Sequence, residues 1–117
     1  MGILDGKRLL ITGVLTDASI AFSVARLAQE EGAEVVLTGA GRGMRLTERT
    51  ARKLPNPAEV LEFDVTSSEQ ADALRQHLAD TWGQVDGALH AIGFAPEVCL
   101  GEDFMAAEWS DVAVAME

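Results

Sequence analysis

The chain has 117 residues, 48% of them apolar, and a formal net charge of −10. That length suits one domain with one core, the apolar share excludes a disordered chain, and the acidic balance argues against nucleic acid as a partner. No apolar run approaches the ~20 residues of a membrane helix, no basic-then-apolar leader opens the chain, and the single cysteine, Cys99, excludes an internal disulfide and fits a reducing cytoplasm.

Residues 8–12 form a short apolar run that ends at Gly13, the pattern of a buried strand entering a tight turn. Ser19 then opens a helix over residues 19–31. Its apolar positions Ile20, Val24, Leu27 and Ala28 fall on one stripe, and Gly32 stands where helices end. Residues 34–38 are a second, β-branched strand. A helix is expected over residues 47–54, stopping before Pro55. Residues 60–63 form a third strand that ends at Asp64. Thr66 or Ser67 caps the next helix, and Ser67-Ser68-Glu69-Gln70 has the form of a capping box in which Gln70 reaches back to the cap. Ala71, Leu74, Leu78 and Trp82 line one face of that helix, and Gly83 ends it. Residues 86–91 form a fourth strand leading into Ile92-Gly93. Residues 94–108 read as a loop, and another helix runs from Trp109 to Glu117.

Strands alternating with helices imply an α/β fold, a doubly wound parallel sheet with right-handed crossovers. The expected strand order is 3-2-1-4. It places a crevice between the first and fourth strands, where the order reverses. Gly13 and Gly93, at the ends of those strands, should flank one site.

A helix N-terminus after a glycine turn offers unpaired N–H groups and the positive end of a dipole, which suits a phosphate. Gly13 alone equally suits a purely structural turn. Ser19 suits a helix cap or a phosphate ligand, and the two roles can coexist. Asp64 alone also reads as a strand-end turn residue. His90 reads as a packed histidine, His77 as a solvated one and Cys99 as a loop thiol, with no metal-ligand spacing among them. Arg42, Arg45, Arg49, Arg52 and Lys53 read as a solvated helix face or as a handle for an anionic cofactor or carrier. The dinucleotide pattern Gly-x-Gly-x-x-Gly is absent. So is Thr-Gly-x-x-x-Gly-x-Gly, because Asp17 and Ser19 hold the later glycine positions. What stands there is Gly-x-x-x-x-x-Ser-Ile-Ala.

That segment, with Gly6-Lys7-Arg8, Gly32-Ala33-Glu34, Leu61-Glu62-Phe63-Asp64-Val65 and His90-Ala91-Ile92-Gly93-Phe94-Ala95-Pro96, resembles bacterial enoyl-acyl-carrier-protein reductases. These form a divergent branch of the short-chain dehydrogenase/reductase superfamily, and the likeness leans toward the actinobacterial long-chain enzymes. It implies a Rossmann-type sheet of which this chain holds the first four strands and their helices. Residues 1–117 are then a single NAD(P)-binding domain, cut short at its C-terminus. It implies that Gly13, Val14 and Leu15 turn beneath the pyrophosphate, and that Ser19 and Ile20 meet phosphate and ribose. Asp64 and Val65 then bracket the adenine, Ala91, Ile92 and Gly93 pass beneath the nicotinamide ribose, and Phe94 lies near the acyl pocket. The expected reaction is NADH-dependent reduction of a trans-2-enoyl thioester on acyl carrier protein, in a homotetrameric cytoplasmic enzyme of fatty-acid biosynthesis.

The cofactor choice rests on opposed signals. An acid at the end of the second strand favours NAD, but Thr38-Gly39-Ala40-Gly41-Arg42 has none, and Arg42 with Arg45 suits the 2′-phosphate of NADP. The resemblance favours NAD over NADP. The same resemblance calls for a Tyr-x-x-x-x-x-x-Lys pair, yet the chain has no tyrosine and its last lysine is Lys53. No catalytic residue is therefore expected here, and the chain alone should be inactive. Two alternatives stay open: a non-catalytic nucleotide-binding module, and a reductase of ketones or alcohols. His90-Ala91-Ile92-Gly93 disfavours the latter. An open apolar edge on the fourth strand should leave the isolated chain marginally stable.

Overall fold

The computed structural model describes residues 2–93, 99–101 and 104–116. Strands β1 (Arg8–Ile11), β2 (Glu34–Gly39), β3 (Glu59–Glu62) and β4 (Gly87–Leu89) pair in parallel in the order β3-β2-β1-β4. The register sets Ile11 opposite both Leu37 and Leu89, and Leu37 opposite Val60. These four side chains form one row on one sheet face. The same register brings the carboxyl ends of all four strands to a common edge, the edge where α/β sheets bind ligands.

Alternation along each strand divides the core between two faces. Ile11, Val35 and Leu37 point to the face covered by α1 (Ile20–Glu30) and α2 (Met44–Ala51). Leu10, Val36 and Leu61 point to the other, covered by α3 (Ser68–Thr81) through Leu74, Leu78 and Trp82. The last helix, α4 (Trp109–Met116), has no buried residue. No helix among the described residues is long and apolar enough to cross a membrane.

The fold and strand order are those expected, with local corrections. α1 turns a different face to the sheet. Ala21, Phe22, Ala25, Ala28 and Gln29 are buried, whereas Ile20 is 83% and Leu27 53% exposed. The small alanines allow a close approach to the strands, Phe22 fills the core beside them, and Ile20 and Leu27 line the outside. α2 starts at Met44 rather than Thr47 and ends at Ala51. Thr47 lies inside the helix, and its hydroxyl bonds a distant carbonyl. Tight turns at Arg52, Lys53 and Leu54 carry the chain to Pro55. Ser67 is the cap of α3, accepting from the Gln70 N–H at 3.3 Å. Gln70 does not return to Ser67. Its Oε1 accepts from the Asp64 N–H at 2.6 Å and its Nε2 donates to Glu62 Oε1 at 2.9 Å, which ties α3 to the end of β3. β4 stops at Leu89, because the Ala91 N–H donates to the Thr12 hydroxyl instead of continuing the ladder. His90, just past the end of β4, is exposed rather than packed, and His77 pairs with Glu59 at 2.7 Å.

Candidate functional site

A cleft opens at the carboxyl edge of the sheet. Gly13, Val14 and Leu15 beyond the end of β1 line it, with Thr38, Gly39 and Ala40 at the end of β2, Thr47 from α2, Phe63, Asp64 and Val65 beyond β3, and Ala91, Ile92 and Gly93 beyond β4. Its volume is about 230 Å³. Closed small-molecule sites run to roughly 300–1,000 Å³, so the described residues form a cradle with an open side.

The junction of β1 and β4 is built from two adjacent residues. Thr12, 5% exposed, donates its hydroxyl to the Leu89 carbonyl at 2.8 Å and accepts from the Ala91 N–H at 2.9 Å. Gly13 follows at φ +79°, a left-handed conformation that favours glycine. A Cβ there would lie 2.1 Å from the Ala91 carbonyl oxygen. The turn therefore closes against β4 only with glycine, and the chain passes on to α1 with its backbone lying at the cleft.

From the other side, α2 holds the same loop. The Thr47 hydroxyl donates to the Val14 carbonyl at 2.6 Å, and the Thr50 hydroxyl donates to the Leu15 carbonyl at 2.9 Å. At the loop's end, Ser19 caps α1, accepting from the Phe22 N–H at 3.3 Å while donating to the Thr16 carbonyl at 2.7 Å. Ser19 and the exposed Ile20 stand at the helix start beside the loop, not in the cleft wall.

Asp64 sits at the opposite rim. Its Oδ1 accepts from both the Thr66 hydroxyl, at 2.7 Å, and the Thr66 N–H, at 2.9 Å. These two bonds, the hydroxyl's first, hold the carboxyl below the ordinary carboxylate range against a weaker effect of burial. Asp64 is thus a turn residue. Its Oδ2 accepts no bond from another described residue and is free for an amino group. The end of β2 carries no acid, and Arg42 and Arg45 are exposed outside the cleft wall.

Of the residues expected in the site, Gly13, Val14, Leu15, Asp64, Val65, Ala91, Ile92 and Gly93 meet in one cleft. Phe94 lies outside the described residues. Sequence reasoning missed Thr38, Gly39, Ala40, Thr47 and Phe63. Gly39 carried a usable signal, a glycine at a strand end, where a Cβ would lie 2.9 Å from Met44 Sδ. Thr47 carried none, since its partner lies far away in sequence.

The chain is similar to known proteins along most of its length. The family model described as Enoyl-(Acyl carrier protein) reductase matches residues 13–117. The enoyl-[acyl-carrier-protein] reductase [NADH] of Mycolicibacterium smegmatis is 45% identical over 116 residues, covering 96% of this chain and 43% of its own length. The Mycobacterium avium enzyme of the same name is 41% identical, covering 96% of this chain and 42% of its own. That of Escherichia coli is 37% identical, with 90% and 40% covered. The chain spans less than half the length of these curated relatives. A match across both rims of the cleft, from the Gly13 turn through Asp64 to Gly93, places the chain in the Enoyl-(Acyl carrier protein) reductase family.

Proposed function

We propose that this chain is the dinucleotide-binding part of an NADH-dependent enoyl-acyl-carrier-protein reductase. One observation carries the reading: the tips of β1, β3 and β4 bring a glycine turn, a free carboxylate oxygen and a bare backbone strand end into one cleft. The relatives' names supply the nucleotide and the acyl substrate.

The cradle's donor set fits such a group. Gly13, Val14 and Leu15 present backbone to the pyrophosphate, with Ser19 and Ile20 at the start of α1 beyond them. The free oxygen of Asp64 accepts from the adenine amino group while Val65 covers the ring. Ala91, Ile92 and Gly93 support the nicotinamide ribose, and Phe94 borders the acyl group. NADH, when bound, supplies the hydride that reaches C3 of the enoyl thioester, and a proton goes to C2. The relatives of this chain in Mycolicibacterium smegmatis and Mycobacterium avium are both named as NADH enzymes, which supports NAD over NADP. The chain has no tyrosine, so the group that steadies the enolate oxygen is not among these residues. By itself the chain binds and does not reduce.

Residues 1–117 act as one nucleotide-binding domain of a cytoplasmic, homotetrameric enzyme whose acyl substrate arrives on acyl carrier protein. Cys99 is a free thiol there. Parallel titrations of the chain with NADH and NADPH test the reading. Saturable NADH binding, weaker NADPH binding and no consumption of NADH with an enoyl thioester are expected. Binding of neither nucleotide, or turnover by the chain alone, contradicts it.

A further inference from the structure

Three side chains on one flank of α2 and the turn after it reach successive points of the loop between β1 and α1. Thr47 bonds the Val14 carbonyl at 2.6 Å and Thr50 the Leu15 carbonyl at 2.9 Å, and Lys53 Nζ lies 3.3 Å from Asp17 Oδ2. The ion pair is solvent-exposed, which limits its strength. The two hydroxyls are not: Thr47 is 1% and Thr50 4% exposed. A threonine inside a helix commonly returns its hydroxyl to a carbonyl of the preceding turn. These two direct theirs to another segment.

The consequence follows from peptide geometry. In a trans peptide the N–H points opposite to the C=O, and no cis bond occurs among the described residues. With the Val14 and Leu15 carbonyls held on α2, the N–H groups of Leu15 and Thr16 point away from it. Neither donates to a backbone acceptor among the described residues. Successive free N–H groups leading into a helix start form a concavity for an anion. With the carbonyls swung the other way, their negative ends would meet the same anion.

We propose that Thr47 and Thr50 are positioning residues for the pyrophosphate: they hold two loop carbonyls back so that the adjoining N–H groups face the ligand. This rests on the dinucleotide reading given above. The test compares two probes on the full chain, ADP-ribose, which carries a pyrophosphate, and adenosine, which does not. Thr47→Val and Thr50→Val each raise the ADP-ribose dissociation constant about five- to tenfold and leave that of adenosine within about twofold, the scale of one lost hydrogen bond. Thr47→Ser and Thr50→Ser keep the hydroxyl and restore ADP-ribose binding. Before any ligand is added, amide hydrogens of residues 14–17 exchange faster in the valine variants. Parallel weakening of both probes reduces the threonines to packing and overturns the proposal, as does a valine variant that binds ADP-ribose like the wild type. A wild-type chain that binds neither probe refutes the dinucleotide reading. Unchanged exchange at residues 14–17 in Thr47→Val overturns the loop-holding role whatever the ligand result.

Discussion

Just past the end of β3 a single carboxylate oxygen accepts two bonds from one neighbour. Asp64 Oδ1 takes both Thr66 donors, which leaves Oδ2 for the adenine that we propose it meets. Those bonds lower the Asp64 pKa, so the turn they stabilise is intact above the ordinary carboxylate range. It is lost only as the pH falls through the lowered value. Adenosine affinity should therefore be flat between about pH 7 and pH 5, whereas Asp64→Ala should weaken it at every pH in that window. Calorimetry with NADH against a nicotinamide-only ligand confines the loss to the adenine end. Ser19 raises a related question, because its hydroxyl already caps α1 and donates to Thr16. Ser19→Ala should weaken NADH binding by about 1 kcal/mol or more if the hydroxyl also serves the phosphate. An unchanged dissociation constant leaves Ser19 a cap alone.

Elements were legible in the sequence wherever the signal was local. Apolar runs ending at Gly13 and Asp64, a serine before each of α1 and α3, and glycines after them were enough to give the strand order 3-2-1-4. What failed was long-range. α1 offers apolar residues on two faces, and only the sheet decides that the alanine face goes inward. The expected start of α2 at Thr47 fell three residues late, and nothing nearby in the sequence announces the bond from Thr47 to Val14. The site was legible in part for the same reason. Gly13 and Gly93 follow from strand-end logic, and Ala91 and Ile92 from the family resemblance, but the Thr12 hydroxyl that joins the two strand ends bridges residues far apart in the chain. Thr12→Val removes both bonds and leaves the Ala91 N–H without its partner. It should destabilise the chain by about 1–3 kcal/mol in urea unfolding. Thr12→Ser should recover most of the loss, and an equal loss in both variants would assign the effect to packing.

At the scale of the whole molecule the two sheet faces are unequally covered. The α1 and α2 face holds Phe22, Leu37 and Leu54 in one cluster, while the α3 face rests on Val36, Leu74 and Leu78 with partly buried neighbours. Among the described residues β4 is an edge, and Ile20, Trp109 and Met116 are 83%, 73% and 76% exposed. Such a molecule should melt below ~45 °C, under the usual range for small domains, and should associate as its concentration rises. Amides of α3 should exchange before those of α1. A sharp monomeric transition above that temperature would contradict this expectation.

The central claim is that a pyrophosphate rests at the amino end of α1, between the tips of β1 and β4. Titrating NADH into the isotope-labelled chain and following each backbone amide by NMR tests it most directly. Saturable shifts are expected at Gly13, Leu15, Thr16, Ser19 and Ile20, and at Asp64, Val65, Ala91, Ile92 and Gly93. Saturable shifts confined to other residues, or none at any NADH concentration in a folded chain, would contradict it.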